Sequence, residues 1–237
     1  MLEFIELENQ RQQIQAEFDA LKSQKERNIL GQFATPINLA NSILKYVQTI
    51  LPENTKIRFL DPAMGTGSFY SALNNIFDSS EIETAVGYEI DEHYAIPTRK
   101  LWSKTPLEYR LADFTKVTPP LEEEHKYNLI ICNPPYVRHH HINGCKKRLK
   151  QAAFDAAEMN LSGLAGLYCY FLALSHCWMQ SDCIAAWLLP SEFMDVNYGR
   201  AVKDYLLNRV TLLQIHRFNP IDVQFDDALV SSVVVVR

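Results

Sequence analysis

The sequence predicts an α/β protein built on a doubly wound, mostly parallel sheet of seven strands with helices on both faces. Strand-like apolar runs alternate with helix-like segments about seven times along the 237 residues, a pattern that gives parallel strands joined by crossover helices. A polar or acidic residue also stands at four consecutive strand ends, at Asp61, Glu89, Asp113 and Asn133. The carboxyl ends of such strands meet at one edge of the sheet, where ligands bind. We therefore expect one ligand site at this edge.

The composition is that of an ordinary globular protein, with 47% hydrophobic and 22% charged residues. The net charge of −5 means that any surface for nucleic acid must be local. The five cysteines show no metal-ligand spacing and no signal peptide is recognisable, which predicts a cytoplasmic protein without a metal. The apolar stretch Leu161–Met179 contains polar residues and lacks flanking anchors, so we interpret it as a buried helix rather than a membrane span.

Residues 1–27 are predicted to form a separate polar helix. Its apolar residues recur every three or four positions, interrupted by Arg11: Phe4, Leu7, Ile14, Phe18 and Leu21. Such a helix either packs on the flank of the domain, which we favour, or docks another chain.

The next segment, Gly31–Pro36, precedes an amphipathic helix that we expect to reach about Ile50. Thr35 can cap this helix and Pro36 suits its first turn. The exposed N–H groups of such a helix start favour a carboxylate ligand.

A glycine turn follows the first predicted strand, Ile57–Asp61, and leads into a helix that ends near Asn75. Gly65 and Gly67 allow a tight strand-to-helix turn that a ligand can approach closely. The dinucleotide pattern fails because Tyr70 occupies the position of its third glycine. The negative charge of Asp61 suits a cationic ligand better than a pyrophosphate.

The second and third strand ends carry acids suited to a nucleoside. Glu89 ends the predicted strand Thr84–Ile90, about twenty residues beyond the glycines, where doubly wound sheets bind ribose hydroxyls. Asp113 follows a weaker strand, Tyr109–Ala112, and can accept a hydrogen bond from an adenine amino group. Phe114 can cover the adenine ring.

The fourth strand, Tyr127–Cys132, stops at Asn133-Pro134-Pro135-Tyr136, because two prolines cannot continue a strand ladder. The Asn133 amide and the backbone carbonyls of this turn can accept hydrogen bonds, and the Tyr136 ring can stack. In fixed geometry these groups suit a flat ligand ring that carries an amino group. A strand-ending turn in which Tyr136 merely packs remains the alternative.

A basic stretch, Arg138–Lys150, begins two residues after Tyr136 and contains no acidic residue. It can contact phosphates or form a mobile cationic lid, or it is simply solvated surface. The three adjacent histidines lack a defined metal geometry. The candidates for contact with a nucleic-acid backbone are Arg138, Lys146, Lys147, Arg148 and Lys150.

Strand and helix continue to alternate towards the C-terminus. The predicted elements are a buried helix over residues 163–179, strand Cys183–Leu189, helix Asn197–Asn208, strand Thr211–Arg217 and strand Ala228–Val236. Phe225 stands at a loop tip just before the last strand.

Residues 28–237 resemble the gamma-class adenine-N6 DNA methyltransferases of restriction–modification systems. The motifs appear in the order X, I, II, III and IV. They lie at Gly31–Pro36, Asp61–Phe69, Glu89-Ile90, Asp113-Phe114 and Asn133–Tyr136. The tetrapeptide Asn-Pro-Pro-Tyr occurs in other amino-methylating enzymes too, and the upstream Phe-Ala-Thr-Pro narrows the choice to this class.

The resemblance implies a Rossmann-like catalytic domain that uses S-adenosylmethionine and needs no metal. Asn133, Pro134, Pro135 and Tyr136 would be catalytic, and Tyr136 and Phe225 would stack on an adenine flipped out of the duplex. The implied cofactor-binding residues are Phe33, Thr35, Pro36, Asp61, Ala63, Gly65, Thr66, Gly67, Glu89, Ile90, Asp113, Phe114 and Asn133.

The resemblance also implies partners. Double-stranded DNA is the expected substrate, which would associate the cytoplasmic protein with the nucleoid. The target-recognition domain of this class is absent from residues 1–237, so another domain or subunit would supply it. In such systems a restriction endonuclease is a further partner. The alternatives are methylation of protein glutamine or RNA, or a non-catalytic cofactor-binding subunit.

Overall fold

The computed structural model describes residues 2–142, 144–218 and 232–237. Within them the helices are α1 Leu2–Ala20, α2 Gln24–Leu30, α3 Ile37–Ile50, α4 Ser68–Ile76, α5 Glu92–Leu101, α6 Lys146–Ala157, α7 Leu167–Ser175 and α8 Arg200–Asn208. The strands are β1 Ile57–Asp61, β2 Ile82–Glu89, β3 Leu107–Leu111, β4 Tyr127–Cys132, β5 Met179–Pro190, β6 Gln214–Arg217 and β7 Ser232–Val236.

The seven strands form one sheet in the order β3-β2-β1-β4-β5-β7-β6. Strands β1 to β5 pair in parallel, and β7 runs antiparallel between β5 and β6. This confirms the predicted doubly wound, mostly parallel sheet. The direction of winding reverses between β1 and β4, so the carboxyl ends of these two strands open the crevice in which ligands bind.

The core lies on both faces of the sheet. Phe59 and Ile131 pack on the side of α3, α4 and α5, whereas Leu60 and Ile130 pack on the side of α6, α7 and α8. A central strand that is buried on both faces reads as a continuous apolar run, which is the pattern of β4. The predicted helices on both faces are therefore confirmed.

The apolar region after residue 163 divides differently from the prediction. Helix α7 is shorter than the predicted helix, and a 3₁₀ turn, His176–Trp178, leads into β5, which begins at Met179 rather than Cys183. Periodicity cannot separate a buried helix from a buried strand within one apolar run. None of the described helices is long and apolar enough to cross a membrane.

Four helices near the ligand edge were not predicted with the bounds that they have in the structure. Residues 1–27 were expected to be one helix, but α1 ends at Ala20 and α2 extends past residue 27 to Leu30. Helix α5 begins after Asp91, whose side chain accepts a hydrogen bond from the His93 N–H at 3.0 Å. Helix α6 occupies much of the basic stretch, for which the sequence predicts no helix.

Two predicted elements near the C-terminus are shorter in the structure. Helix α8 begins at Arg200 and β6 at Gln214. The predicted strand Ala228–Val236 is described only as β7, from Ser232 onward. Phe225 lies outside the described residues.

Candidate active site

A cavity of about 460 Å³ opens at the carboxyl ends of β1 to β4. It brings together residues from all four predicted strand-end segments and from the segment before α3. The predicted catalytic and cofactor residues that line it are Phe33, Ala63, Gly65, Glu89, Ile90, Asp113, Phe114, Asn133 and Pro135. Other predicted residues lie around it rather than in its described wall: Thr35, Pro36, Asp61, Thr66, Gly67, Pro134 and Tyr136.

The glycine turn between β1 and α4 is held by a tryptophan. The Trp102 indole N–H donates to the Thr66 carbonyl oxygen at 3.0 Å. Gly67 has a φ of +92°, and a Cβ there would lie 2.8 Å from the Trp102 indole nitrogen. Only glycine fits this position without displacing the indole.

The Glu89 carboxylate is fixed by two backbone donors. It accepts from the Gly65 N–H at 3.0 Å and from the Asp91 N–H at 2.8 Å. Burial raises the pKa of Glu89, and these hydrogen bonds act in the opposite direction. A carboxylate has about four lone-pair sites, so Glu89 can accept further hydrogen bonds from a ligand in the cavity.

Asp61 lies beneath the cavity and is 1% exposed. Its Oδ1 accepts from the Ala63 N–H at 3.1 Å, whereas its Oδ2 has no hydrogen-bond partner among the described residues. Burial raises the pKa of Asp61 to about 8, and the negative charge of Glu89 adds to this effect.

Asp113 caps the turn after β3. Its Oδ1 accepts from the Thr115 N–H at 3.0 Å and the Thr115 hydroxyl at 2.7 Å, and its Oδ2 pairs with Lys116 at 2.9 Å. Burial alone would raise the pKa of Asp113, but the hydrogen bonds from Lys116 and Thr115 outweigh it and lower that pKa. The neighbouring Phe114 ring stacks on Phe171 with centroids 5.6 Å apart.

Asn133 lines the cavity, and hydrogen bonds fix the orientation of its side-chain amide. Its Nδ2 donates to the Phe33 carbonyl oxygen at 2.9 Å and to the Thr35 hydroxyl at 3.1 Å. Because a carbonyl can only accept, these contacts fix which end of the amide carries the nitrogen. The Oδ1 is buried and has no partner among the described residues.

The segment before α3 supports the Asn-Pro-Pro-Tyr turn rather than capping its own helix. The Tyr136 N–H donates to the Gly31 carbonyl oxygen at 3.1 Å. Pro36 occupies the N-cap position of α3 without a side-chain cap. The predicted capping role of Thr35 is therefore wrong, because its hydroxyl accepts from Asn133 instead.

The Tyr136 side chain is buried. Its hydroxyl donates to the Leu188 carbonyl oxygen at 3.0 Å, and its ring contacts the rings of Phe33 and Tyr168, with centroids 5.6 and 6.4 Å away. Stacking of Tyr136 and Phe225 on a target base stays a prediction.

The basic stretch divides into two parts. Arg148 donates to the Thr115 carbonyl at 2.7 Å and to its hydroxyl at 3.1 Å, and this holds α6 against the cavity. Arg138 and Lys147 are exposed, whereas Lys146 and Lys150 are half-buried. Nowhere in the described part of the chain do three His, Cys, Asp or Glu side chains converge as a metal site would require.

Among the cavity-wall residues that sequence reasoning missed are Gln15 and Asp19 on α1, and Tyr94 on α5. The signal was present in the spacing of polar residues along α1. We had followed only its apolar residues and had interpreted Arg11 as an interruption.

The family model described as Eco57I restriction-modification methylase matches residues 40–223, which is more than three quarters of the chain. The chain belongs to the Eco57I restriction-modification methylase family. This confirms the resemblance to restriction–modification methyltransferases.

Relatives of this Eco57I-family chain are Type II methyltransferases. It is 29% identical over 229 residues to M.AccI of Acinetobacter calcoaceticus, covering 94% of this chain and 39% of that protein. It is 28% identical over 195 residues to M.XamI of Xanthomonas campestris pv. amaranthicola, covering 80% of this chain and 35% of that protein. The chain thus spans about two fifths or less of the length of these relatives.

The type I restriction-modification system methyltransferase subunit of Streptococcus thermophilus has a similar structure, with a TM-score of 0.68 and 16% identity. The match covers 86% of this Eco57I-family chain and 44% of that one. The shared fold confirms the predicted Rossmann-like methyltransferase architecture.

Proposed function

We propose that this chain is the catalytic part of a gamma-class DNA methyltransferase. It transfers a methyl group from S-adenosylmethionine to N6 of an adenine flipped out of double-stranded DNA. The observation that carries this proposal is the unpartnered Oδ1 of Asn133 in the cavity wall.

The Asn133 side chain is oriented for a ligand that donates a hydrogen bond. Its nitrogen is committed to Phe33 and Thr35, so the amide cannot rotate to satisfy its own oxygen. A buried acceptor without a partner costs about 1–3 kcal/mol. The exocyclic amino group of adenine offers two donors, which Asn133 Oδ1 and the Pro134 carbonyl would accept.

The cavity suits an adenosyl cofactor. Its volume falls within the range of small-molecule sites, roughly 300–1,000 Å³. Phe114 supplies an aromatic face and Ile90, which is 65% exposed, an aliphatic one. The Asp113 carboxylate can accept from the adenine amino group, and the Glu89 carboxylate can accept from the ribose hydroxyls.

The other end of the cavity suits the charged part of the cofactor. S-adenosylmethionine supplies an electrophilic methyl group on a positively charged sulfur. The Glu89 carboxylate favours positive charge nearby, and a cation bound here would in turn favour ionisation of Asp61. The segment before α3 lines this cavity up to Ala34. The first-turn N–H groups of α3, which no intrahelical carbonyl can reach, follow directly and would attract the methionine carboxylate.

The chain acts on the reaction by positioning. Acceptance of the amino hydrogens by Asn133 and Pro134 reduces delocalisation of the nitrogen lone pair into the adenine ring. The bound cofactor would supply the methyl group, with S-adenosylhomocysteine as the leaving group, and the amino nitrogen would lose one proton to water. Such catalysis rests on orientation and preorganised dipoles, without a covalent intermediate on the protein.

The partners follow from this reaction. A flipped adenine implies double-stranded DNA, and the short span relative to M.AccI and M.XamI favours a recognition domain or subunit outside residues 1–237. A restriction endonuclease would complete such a system. A DNA substrate would place the protein in the cytoplasm, at the nucleoid.

The test offers S-adenosylmethionine with a labelled methyl group and three acceptors: unmethylated DNA, RNA and protein. We expect label in DNA, and N6-methyladenine on digestion to nucleosides, with none from the Asn133→Ala variant. Label confined to RNA or protein, or N4-methylcytosine in the DNA, would contradict the proposal. Calorimetric binding of the cofactor without turnover on any acceptor would favour a non-catalytic subunit.

A further inference from the structure

Helix α1 turns a polar face towards the domain. The residues of this face recur every three or four positions, as one side of a helix requires: Glu8, Arg11, Gln15 and Asp19. Lys22, in the turn directly after α1, continues the same spacing. Glu8 is 8% exposed and Arg11 3%, and two hydrogen bonds of 2.7 Å join their side chains. The polar face of a helix normally points to solvent. A buried polar face therefore indicates specific partners in the domain.

The first partner is the glycine turn. Arg11 donates to the Thr66 hydroxyl at 3.0 Å, and that hydroxyl donates to Gln15 Oε1 at 2.7 Å. Gln15 Nε2 donates to Asp19 Oδ1 at 2.9 Å, and the Tyr94 hydroxyl donates to the same oxygen at 2.6 Å. A continuous chain of hydrogen bonds thus runs from the glycine turn to α5.

The second partner is the loop after β2. Lys22 forms an ion pair with Asp91 and also donates to Gln32 Oε1 at 3.0 Å. Gln32 Nε2 donates in turn to Asp91 Oδ2 at 2.7 Å. Helix α1 and the turn that follows it are therefore tied to three segments that border the cavity: the glycine turn, the loop after β2 and the segment before α3.

Two residues of this polar face, Gln15 and Asp19, also line the cavity itself. The Asp19 carboxylate has about four lone-pair sites, so it can accept from a ligand as well as from Tyr94 and Gln15. The match to the family model begins only at residue 40, well after α1.

We propose that α1 is the outer wall of the cofactor pocket. Asp19 accepts a hydrogen bond from the cofactor, either from a ribose hydroxyl or from the α-ammonium group. Gln15 is a positioning residue that holds the glycine turn through the Thr66 hydroxyl. This inference rests on the proposed function, because it assigns these residues to the same cofactor.

The test measures calorimetric affinity for S-adenosylmethionine, S-adenosylhomocysteine and 5′-methylthioadenosine, which lacks the amino-acid part. In Asp19→Asn the amide oxygen still accepts from Tyr94 and Gln15, so α1 stays docked while the charge is lost. We expect Kd for S-adenosylmethionine to rise about tenfold, which is about 1.4 kcal/mol. An equal loss for 5′-methylthioadenosine assigns Asp19 to the ribose, and no loss for it assigns Asp19 to the ammonium.

The positioning role of Gln15 has its own readout. Gln15→Ala and Thr66→Val should both weaken all three ligands, whereas Thr66→Ser, which keeps the hydroxyl, should restore the parent affinity. Gln13→Ala is the matched control, because Gln13 is exposed and bonds only Glu17 within α1 among its described contacts. Unchanged affinities in Asp19→Asn and Gln15→Ala would overturn the inference.

Failure of the inference and failure of the proposed function give different results. A parent chain that binds none of the three ligands contradicts the proposed function itself. A parent that binds them, with variants that bind as tightly, contradicts only the role of α1. Should a variant not fold, hydrogen exchange on the parent decides: the cofactor must slow exchange of the α1 amides, and unchanged exchange overturns the inference.

Discussion

At the scale of single residues, Asn133 is held by a tertiary contact that the sequence did not reveal. Its position at a strand end was predictable, because two prolines stop β4. That Phe33 and Thr35 orient its amide was not, since both contacts join residues about a hundred positions apart. Thr35 before a proline reads locally as a helix cap, and the tertiary partner overrides that local role.

The orientation of Asn133 gives a graded prediction. Thr35→Val removes one of the two acceptors for the amide nitrogen, so methylation should slow about tenfold, the cost of roughly one hydrogen bond. Asn133→Ala should abolish methylation while cofactor affinity stays close to the parent value. Single-turnover rates and calorimetry measure the two effects. A Thr35→Ser variant as slow as Thr35→Val would contradict the role of the hydroxyl.

Asp61 predicts a pH dependence of stability in the ligand-free protein. Its folded-state pKa of about 8 lies above the unfolded value, which is about 3.9. Between these values the folded chain holds a proton that the unfolded chain has lost, so the free energy of unfolding falls as pH rises through this window. Asp61→Asn cannot ionise and should gain in Tm over the parent from about pH 6 to about pH 8.5.

Thermal unfolding of both proteins across that range measures this difference. Asp204→Asn, which changes an exposed acid on α8, serves as the control and should follow the parent. A Tm difference between Asp61→Asn and the parent that stays constant with pH would show that Asp61 is already ionised.

At the scale of elements, the strands were easier to predict than the helices. Strands β1 and β4 begin and end at the predicted residues. Pro62 directly follows β1, and Asn133 and Pro134 follow β4, so the end of each strand is marked in the sequence. Helix α6 was missed because its buried positions, Leu149, Ala153 and Ala157, are few and small within a strongly basic stretch. The prediction for α1 rests on its apolar residues alone, although two of its polar residues, Glu8 and Arg11, are buried too.

The contact between two backbone segments predicts a glycine requirement. Gly31 has a φ of +65°, and a Cβ there would lie 2.3 Å from the Tyr136 backbone nitrogen. Gly31→Ala should therefore lower Tm and displace the catalytic turn, with loss of methylation. The matched control is Gly144→Ala, at φ +74° with no described atom within 4 Å of the added Cβ.

The control variant should incur only the cost of left-handed backbone, about 1–2 kcal/mol. Gly31→Ala should be clearly less stable than Gly144→Ala. Equal losses of Tm in the two variants would show that the close approach to Tyr136 is relieved without cost.

At the scale of the whole molecule, the basic residues after Tyr136 should divide by function. Lys147 is exposed, so Lys147→Ala should weaken binding of any DNA and lower the salt slope by about 1. Arg148 is bonded to Thr115, so Arg148→Ala should instead weaken cofactor binding. Titrations of a DNA duplex at several salt concentrations, beside calorimetry with cofactor, distinguish the two. A reversed pattern would contradict this division.

The chain spans about two fifths or less of the length of M.AccI and M.XamI, which predicts that it binds cofactor but methylates DNA inefficiently. Residues 1–237 contain the cavity, so they should bind cofactor, but they should methylate plasmid DNA poorly and without strong site preference. Mass spectrometry of plasmid nucleosides after incubation measures this. Efficient, site-specific methylation by residues 1–237 alone would show that base recognition lies within them.

The place of β7 between β5 and β6 has a consequence for synthesis on the ribosome. Strand β5 emerges from the ribosome with one edge unpaired, and that edge is covered only when β7, Ser232–Val236, has been made. An open edge of this kind invites pairing with a neighbouring nascent chain. The strands whose ends border the cavity, β1 to β4, are complete long before then. Cofactor that binds at that stage would stabilise the folded part of the sheet by mass action until β7 is synthesised.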